Sequence, residues 1–222
     1  ICAVEILFRV FARVPIIPRY VTGTPFGIRG NMPNMNYWHT SADFKINIRT
    51  NSKGIRADEE IPYEKPTGIQ RIVVLGDSFG MGYEVNIEDT FLNTMKVNLE
   101  KHDPKVQIIN LSVSGHGNAE ELIMLQNEGI KYHPDIVLHC WHDTDYDDNV
   151  RSNLFTLENG ELKRKAPTYL PGISISDRLY KIPLFIPISE NSQIYNYVRD
   201  EAGKKVQKLL VQIRNMQSNI KG

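Results

Sequence analysis

Apolar residues along this chain fall into three short runs separated by stretches of helical period, and that alternation predicts the core of the fold. IVVL following Arg71, VQIINL (Val106 to Leu111) and DIVLHCW (Asp135 to Trp141) each read as a strand buried on both faces of a parallel sheet. Between the first two runs, Phe91, Leu92, Met95 and Leu99 share one helical face, with Asn86 as the expected N-cap. Between the second and third, Leu122, Ile123, Gln126 and Ile130 continue a helix, and Asn118 with Glu121 three residues later resembles a capping box. Strand, loop and helix repeated in this way form βαβ units. Right-handed crossovers then give an α/β fold of three layers, α/β/α, with a parallel central sheet. Such sheets bind ligands at the carboxyl ends of their strands. The loops beginning at Gly76, Ser112 and His142 should therefore share one rim.

The flanking regions are less regular. Residues Asp43 to Thr50 alternate apolar and polar, the mark of a half-buried strand, and Asn51 to Gly54 reads as a turn. Pro15 to Asn36 is rich in Pro, Gly, Asn and Thr and reads as a connecting arm. Asn159-Gly160 predicts a hairpin within Leu154 to Arg164, and the Pro-studded stretch Pro167 to Ser189 reads as a cover over the domain. From Asn191 onward, Ile194, Val198, Ala202, Val206, Leu210 and Ile213 trace one face of a long helix. The expected organisation is an N-terminal helix and arm over residues 1–37 and one domain over residues 38–222.

The opening segment ICAVEILFRVF is interrupted by Glu5 and Arg9 and is shorter than the ~20 apolar residues that span a bilayer. It reads either as an amphipathic helix or as the remnant of an N-terminal anchor or signal. The second reading carries a possible membrane association and an extracytoplasmic, cell-envelope location.

Composition narrows the function classes. A length of 222 residues suits one sizeable α/β domain, and 41% apolar with 23% charged residues is ordinary for a globular protein. Lys+Arg and Asp+Glu balance at 26 each, so no basic face is expected for nucleic acid. Two cysteines, Cys2 and Cys140, give no disulfide framework. Asp143, Asp145, Asp147 and Asp148 resemble the opening of a calcium loop, but the sixth position is Asp148 and the twelfth is Leu154, which excludes an EF-hand. They read as an exposed acidic loop. His139 and His142 lie three apart around a strand end and make a poor metal pair. No metal or organic cofactor is expected.

Chemistry concentrates after the first core strand, where Gly76-Asp77-Ser78-Phe79-Gly80 sets a serine on a sharp strand-to-helix turn. A nucleophile at such a turn projects from the rim toward backbone N–H groups that can stabilise an oxyanion. The same residues also fit a plain turn of small side chains. Here the sequence resembles the SGNH/GDSL hydrolases. RIVVLGDSFGMGYEV resembles their first signature block, NLSVSGHGNAEEL the second and PDIVLHCWHDTDYDDN the third, while TNSKGIR resembles the segment that leads into the sheet in many envelope-associated members.

The resemblance implies a serine-dependent carboxylic ester hydrolase of esterase, lipase or deacetylase type that works through an acyl-enzyme on Ser78. It gives Asp77 a structural place in the same turn and assigns the Gly115 N–H to the oxyanion hole beside that of Ser78. Its substrate would be a small-molecule, glycan or lipid ester. Two positions depart from the family pattern. Thr144 stands where an Asn side-chain donor is expected, leaving His142 or a shifted N–H as alternatives. No Asp-x-x-His motif, which carries the family's general base, occurs in the sequence. The expectation is that the base and the last sheet strand lie beyond Gly222 and that this chain alone is weakly active. His116 and His142, both in rim loops, are the other candidate bases.

Three rivals remain open at this level. GDSFG fits the nucleophile elbow of α/β-hydrolases, although no upstream oxyanion segment accompanies it. Acyl transfer to a sugar hydroxyl would use the same acyl-enzyme. A binding or accessory domain on a catalytically degenerate scaffold would account for both departures.

Overall fold

The computed structural model describes residues 2–11, 19–40, 44–165, 170, 173–202 and 205. Two units emerge, one of Ile1–Pro18, His39–Lys45 and Arg178–Gly222, the other of Arg19–Trp38 and Ile46–Asp177. In chain order the elements are α1 (Cys2–Phe11), β1 (Val21–Gly23), β2 (Arg29–Asn31), β3 (Asn36–Thr40), β4 (Lys45–Arg49) and β5 (Gln70–Gly76). There follow α2 (Ser78–Met81), α3 (Phe91–Glu100), β6 (Val106–Asn110), α4 (Asn118–Asn127) and β7 (Ile136–Cys140). The series closes with α5 (Thr144–Ser152), β8 (Phe155–Glu158), β9 (Glu161–Arg164), α6 (Ile173–Leu179) and α7 (Phe185–Asn191).

The three apolar runs form one parallel sheet in the order β6-β5-β7, with Ile72 in register with Ile108 on one side and Ile136 on the other. The protein is thus mixed α/β, with helices on both faces of that sheet. Alternation along β5 divides the core. Val73 and Leu75 pack with Ile109, Leu111, Ile123, Met124 and Tyr132 on the α4 face. Ile72 and Val74 pack with Leu92 and Val106 on the α3 face, where Met95 and Leu99 complete the layer. The central strand is covered on both sides, as its unbroken apolar run requires. β7 is an edge strand among the described residues, and its Ile136 and Val137 remain exposed.

Several local expectations change. The arm is not structureless, because β1 and β2 pair as a short antiparallel hairpin, and Ile28 beside it is wholly buried in the core. Turn-forming residues set the hairpin's bend, which leaves the apolar residue free to face inward. Helix α3 takes its cap from Thr90, whose hydroxyl accepts from Asn93 N–H at 3.2 Å, while Asn86 opens a separate 3₁₀ turn over Ile87–Asp89. The box at α4 is shifted by one residue. Gly117 is the N-cap and its N–H donates to the Glu120 carboxylate at 3.3 Å, which releases Asn118 and Glu121 for other partners. The acidic stretch is helix α5 rather than an exposed loop, and Asp145 is fully buried within it.

The hairpin β8–β9 turns at Asn159-Gly160 with Glu158 opposite Glu161, and both turn residues have positive φ (54° and 82°). Within the stretch expected to form a cover, α6 and α7 are helices, whereas residues 166–169 and 171–172 lie outside the described residues. Residues 193–202 are helical, but Val198 on the expected apolar face is exposed, and Val206, Leu210 and Ile213 lie outside the described residues. In that unit the Glu5 carboxylate accepts from Gln193 N–H at 2.8 Å and Ile194 N–H at 3.2 Å. These backbone bonds hold its pKa down to about 2, as expected for an anion on unpaired helix N–H groups. No helix is long and apolar enough to cross a membrane among the described residues.

One charged residue organises the entrance to the sheet. Arg71 is fully buried at the start of β5. Its Nε donates to Gln107 Oε1 at 2.8 Å, Nη1 to the carbonyls of Tyr63 (2.7 Å) and Tyr132 (2.9 Å), and Nη2 to those of Pro62 (2.9 Å) and Glu64 (3.0 Å). A guanidinium has five N–H donors, and here each one is used. That pairing is what allows a cation to sit in the interior.

Candidate functional site

Ser78 begins α2 immediately beyond β5. Asp77 fixes the turn, because its carboxylate accepts the Phe79 N–H at 2.8 Å as the N-cap. That bond gives Asp77 a structural part and leaves the serine hydroxyl uncommitted. Ser78 is half-buried, and its Oγ has no hydrogen-bond partner among the described residues. It borders a cleft of about 290 Å³ whose other walls are Phe79, Gly82, Tyr83, Glu84 and Val85.

The turn packs tightly onto β6. A Cβ on Gly80 would stand 2.5 Å from Ser112 Oγ and 3.0 Å from Ser112 Cβ, so a larger residue here would have to displace that side chain. Asn110 Nδ2 donates to Gly80 O at 2.9 Å and ties the same turn to the end of β6. Beyond β6 the backbone stays beside β5, since Val113 N–H donates to Gly76 O at 3.0 Å. Gly115 thus lies two residues past a direct bond to the strand that carries Ser78. Its φ of +79° is left-handed, a conformation that favours glycine, and the Arg29 guanidinium stands against it, with Nη1 at 2.5 Å from where a Cβ would be. Arg29 is a cation at this rim that nothing in the local sequence pattern marked.

The third rim loop brings His142 to the serine turn. Its imidazole stacks on the Phe79 ring, with centroids 4.4 Å apart and planes 19° from parallel. Nδ1 lies 3.0 Å from Asp143 Oδ1 and 2.9 Å from Thr144 Oγ1, whereas Nε2 has no partner among the described residues. The Thr144 backbone N–H is also directed at Nδ1, at 3.3 Å; in the tautomer whose Nδ1–H donates to Asp143 that contact is given up and Nε2 presents a lone pair. The Thr144 hydroxyl, the expected stand-in for an oxyanion donor, is engaged with His142.

His116 is not a rim base. It is wholly buried, and Nε2 lies 2.8 Å from Arg29 O, so that nitrogen carries the proton and donates to the carbonyl. Burial pushes its pKa down from the ordinary 6.5 to about 4. The neutral ring is therefore the folded form, and its contribution is complete above pH 6.5 and is lost as pH falls from 6.5 toward 4. At about 1.4 kcal/mol per pH unit, the full loss is roughly 3 kcal/mol. Urea unfolding between pH 7.5 and 4.5 should show that decline, and His116→Gln should flatten its slope. An unchanged slope in the variant would place the dependence on other groups.

Behind the rim lies a polar cluster that the sequence did not suggest. His139 Nε2 is 2.7 Å from Glu121 Oε2 and 2.9 Å from Asn118 Nδ2. Asn118 Nδ2 also donates to Asp145 Oδ2 at 3.3 Å, and the same oxygen accepts the His142 N–H at 3.0 Å. Burial raises the pKa of Glu121, helped by the neighbouring Asp145 charge. Asp145 is raised by its own burial. Cys140, next along β7, is a free thiol whose pKa burial also raises, which keeps it protonated and unreactive.

The fold and rim together define an α/β protein with an uncommitted serine at the carboxyl end of its central strand. No family model matches the chain, and no curated protein matches it in sequence.

Proposed function

We propose that the protein is a serine ester hydrolase of SGNH type in which Ser78 attacks the ester carbonyl and carries the acyl group. The observation that carries this reading is the placement of Ser78, with a hydroxyl free of partners among the described residues, at the end of β5 and on the wall of a cleft. His142 is the imidazole set against that turn, and its unpartnered Nε2 accepts the serine proton while Asp143 holds Nδ1. The backbone N–H groups of Ser78 and Gly115 are the oxyanion donors. Attack forms the Oγ–acyl bond and expels the alcohol, which takes the proton from His142. Water then reverses the sequence and releases the acid.

A fluorophosphonate probe tests the assignment directly, because it phosphonylates activated serines. The expected result is one adduct per chain, on the peptide that contains Ser78, and none on Ser78→Ala. A chain that stays unlabelled while folded favours the second reading, a binding or accessory domain on a degenerate scaffold. The engagement of the Thr144 hydroxyl with His142 is the observation on that side, since it withdraws one oxyanion donor.

A further inference from the structure

We propose that Glu121, His139 and Asp145 form a binding site for a divalent transition-metal ion, separate from the serine chemistry. One potential ligand atom from each residue lies within 4.8 Å of the other two. They come from three different elements, α4, β7 and α5, so the fold rather than local sequence assembles them. One nitrogen and two oxygens match zinc or manganese and do not match calcium, which takes oxygen alone.

The second observation concerns what the carboxylates lack. Glu121 is 2% exposed and Asp145 0%, and in each one oxygen joins the hydrogen-bond network while the other, Glu121 Oε1 and Asp145 Oδ1, is buried with no partner among the described residues. An unpaired carboxylate oxygen in the interior is costly, and no Lys or Arg among the described residues forms an ion pair with either group. Among the described residues the ionisable group paired with Glu121 is His139. A dication held by the two carboxylates would balance both charges. Access is open from one side, since the His139 side chain is 45% exposed. Three protein ligands leave further coordination positions to water.

Binding requires the lone pair on His139 Nε2, so the hydrogen now shared with Glu121 Oε2 across 2.7 Å is released to solvent. Asn118 Nδ2 now lies 2.9 Å from His139 Nε2, 3.4 Å from Glu121 Oε2 and 3.3 Å from Asp145 Oδ2, so its amide swings aside when an ion takes those atoms. Because Asp145 also accepts the His142 N–H, an ion here would stiffen the rim loop that carries His142. The role is structural and lies behind the reacting atoms.

The test uses the full chain without a histidine tag, titrated with Zn²⁺ by calorimetry, with Ca²⁺ as the comparison ion and thermal unfolding as a second readout. The expected result is one saturable Zn²⁺ per chain and little heat with Ca²⁺. The unfolding midpoint should rise by roughly 5–10 °C at a hundredfold excess of Zn²⁺ over Kd. His139→Ala, a partly exposed change that spares the core, should weaken Zn²⁺ binding at least roughly 10²-fold while the chain still unfolds cooperatively. Absence of saturable Zn²⁺ binding in the unaltered chain overturns the proposal and leaves the two carboxyls sharing protons instead. Equal affinity in His139→Ala also overturns it, by placing the ion elsewhere. Fluorophosphonate labelling of Ser78 is independent of either outcome.

Discussion

Ser78→Ala should lower ester turnover at least roughly 10³-fold, to the background rate, with no loss of stability. The kinetic expectation follows from losing the atom that forms the acyl bond, for which no neighbour substitutes. The neutral stability follows from the structure, because Oγ makes no hydrogen bond to the described residues and Asp77, not Ser78, caps the turn. Hydrolysis of a p-nitrophenyl acetate series, followed beside circular dichroism of both proteins, separates the two effects. Turnover that survives in Ser78→Ala would sink the assignment. His142→Gln, measured in the same assay, should fall by roughly 10²–10⁴ if its Nε2 is the base. A rate equal to the unaltered chain moves the base to another residue while keeping Ser78 as the nucleophile.

Arg71→Met should destabilise the fold by about 3–5 kcal/mol, because several neutral acceptors, each costing roughly 1–3 kcal/mol when buried and unmet, lose their donor together. Methionine fills much of the volume but leaves the carbonyls of Pro62, Tyr63, Glu64 and Tyr132 and the amide oxygen of Gln107 without the donor they now share. Each buried acceptor left unmet is costly in itself. Lys has three donors on one nitrogen and cannot spread them as a planar guanidinium does, so Arg71→Lys should recover only part of the loss. Urea unfolding at constant pH measures both. A loss below about 1 kcal/mol in Arg71→Met would mean that water or a shifted loop replaces the guanidinium.

This effect is large against the total stability of a domain, about 5–15 kcal/mol. It is also remote from Ser78 in role, since Arg71 opens β5 and Ser78 follows its other end. A stability defect at Arg71 and a rate defect at Ser78 should therefore appear independently, with labelling of Ser78 retained in whatever fraction of Arg71→Met is folded.

The sequence by itself determined the elements whose signal is local. A strand that must be covered on both faces has no polar alternation, so IVVL marks β5; VQIINL and DIVLHCW mark β6 and β7 by the same kind of run, although Ile136 and Val137 of β7 stay exposed. A two-residue hairpin needs positive φ at Asn159 and Gly160, and the dipeptide names the turn. The Ser78 turn is legible for the same reason, as small residues between a strand and a helix are seen without any distant partner. The tertiary structure alone decided what each polar residue faces. His116 and His142 look alike as rim-loop histidines, yet one is sealed against Arg29 and the other stacks on Phe79. Asp145 reads as one of several solvated acids until α5 turns it inward toward Glu121 and His139. Arg71 looks like an ordinary charge at a strand edge until Tyr63, Gln107 and Tyr132 converge on it. The physical reason is common to all three: burial and charge compensation are fixed by crossovers that bring distant segments together, and no short window of sequence contains both partners.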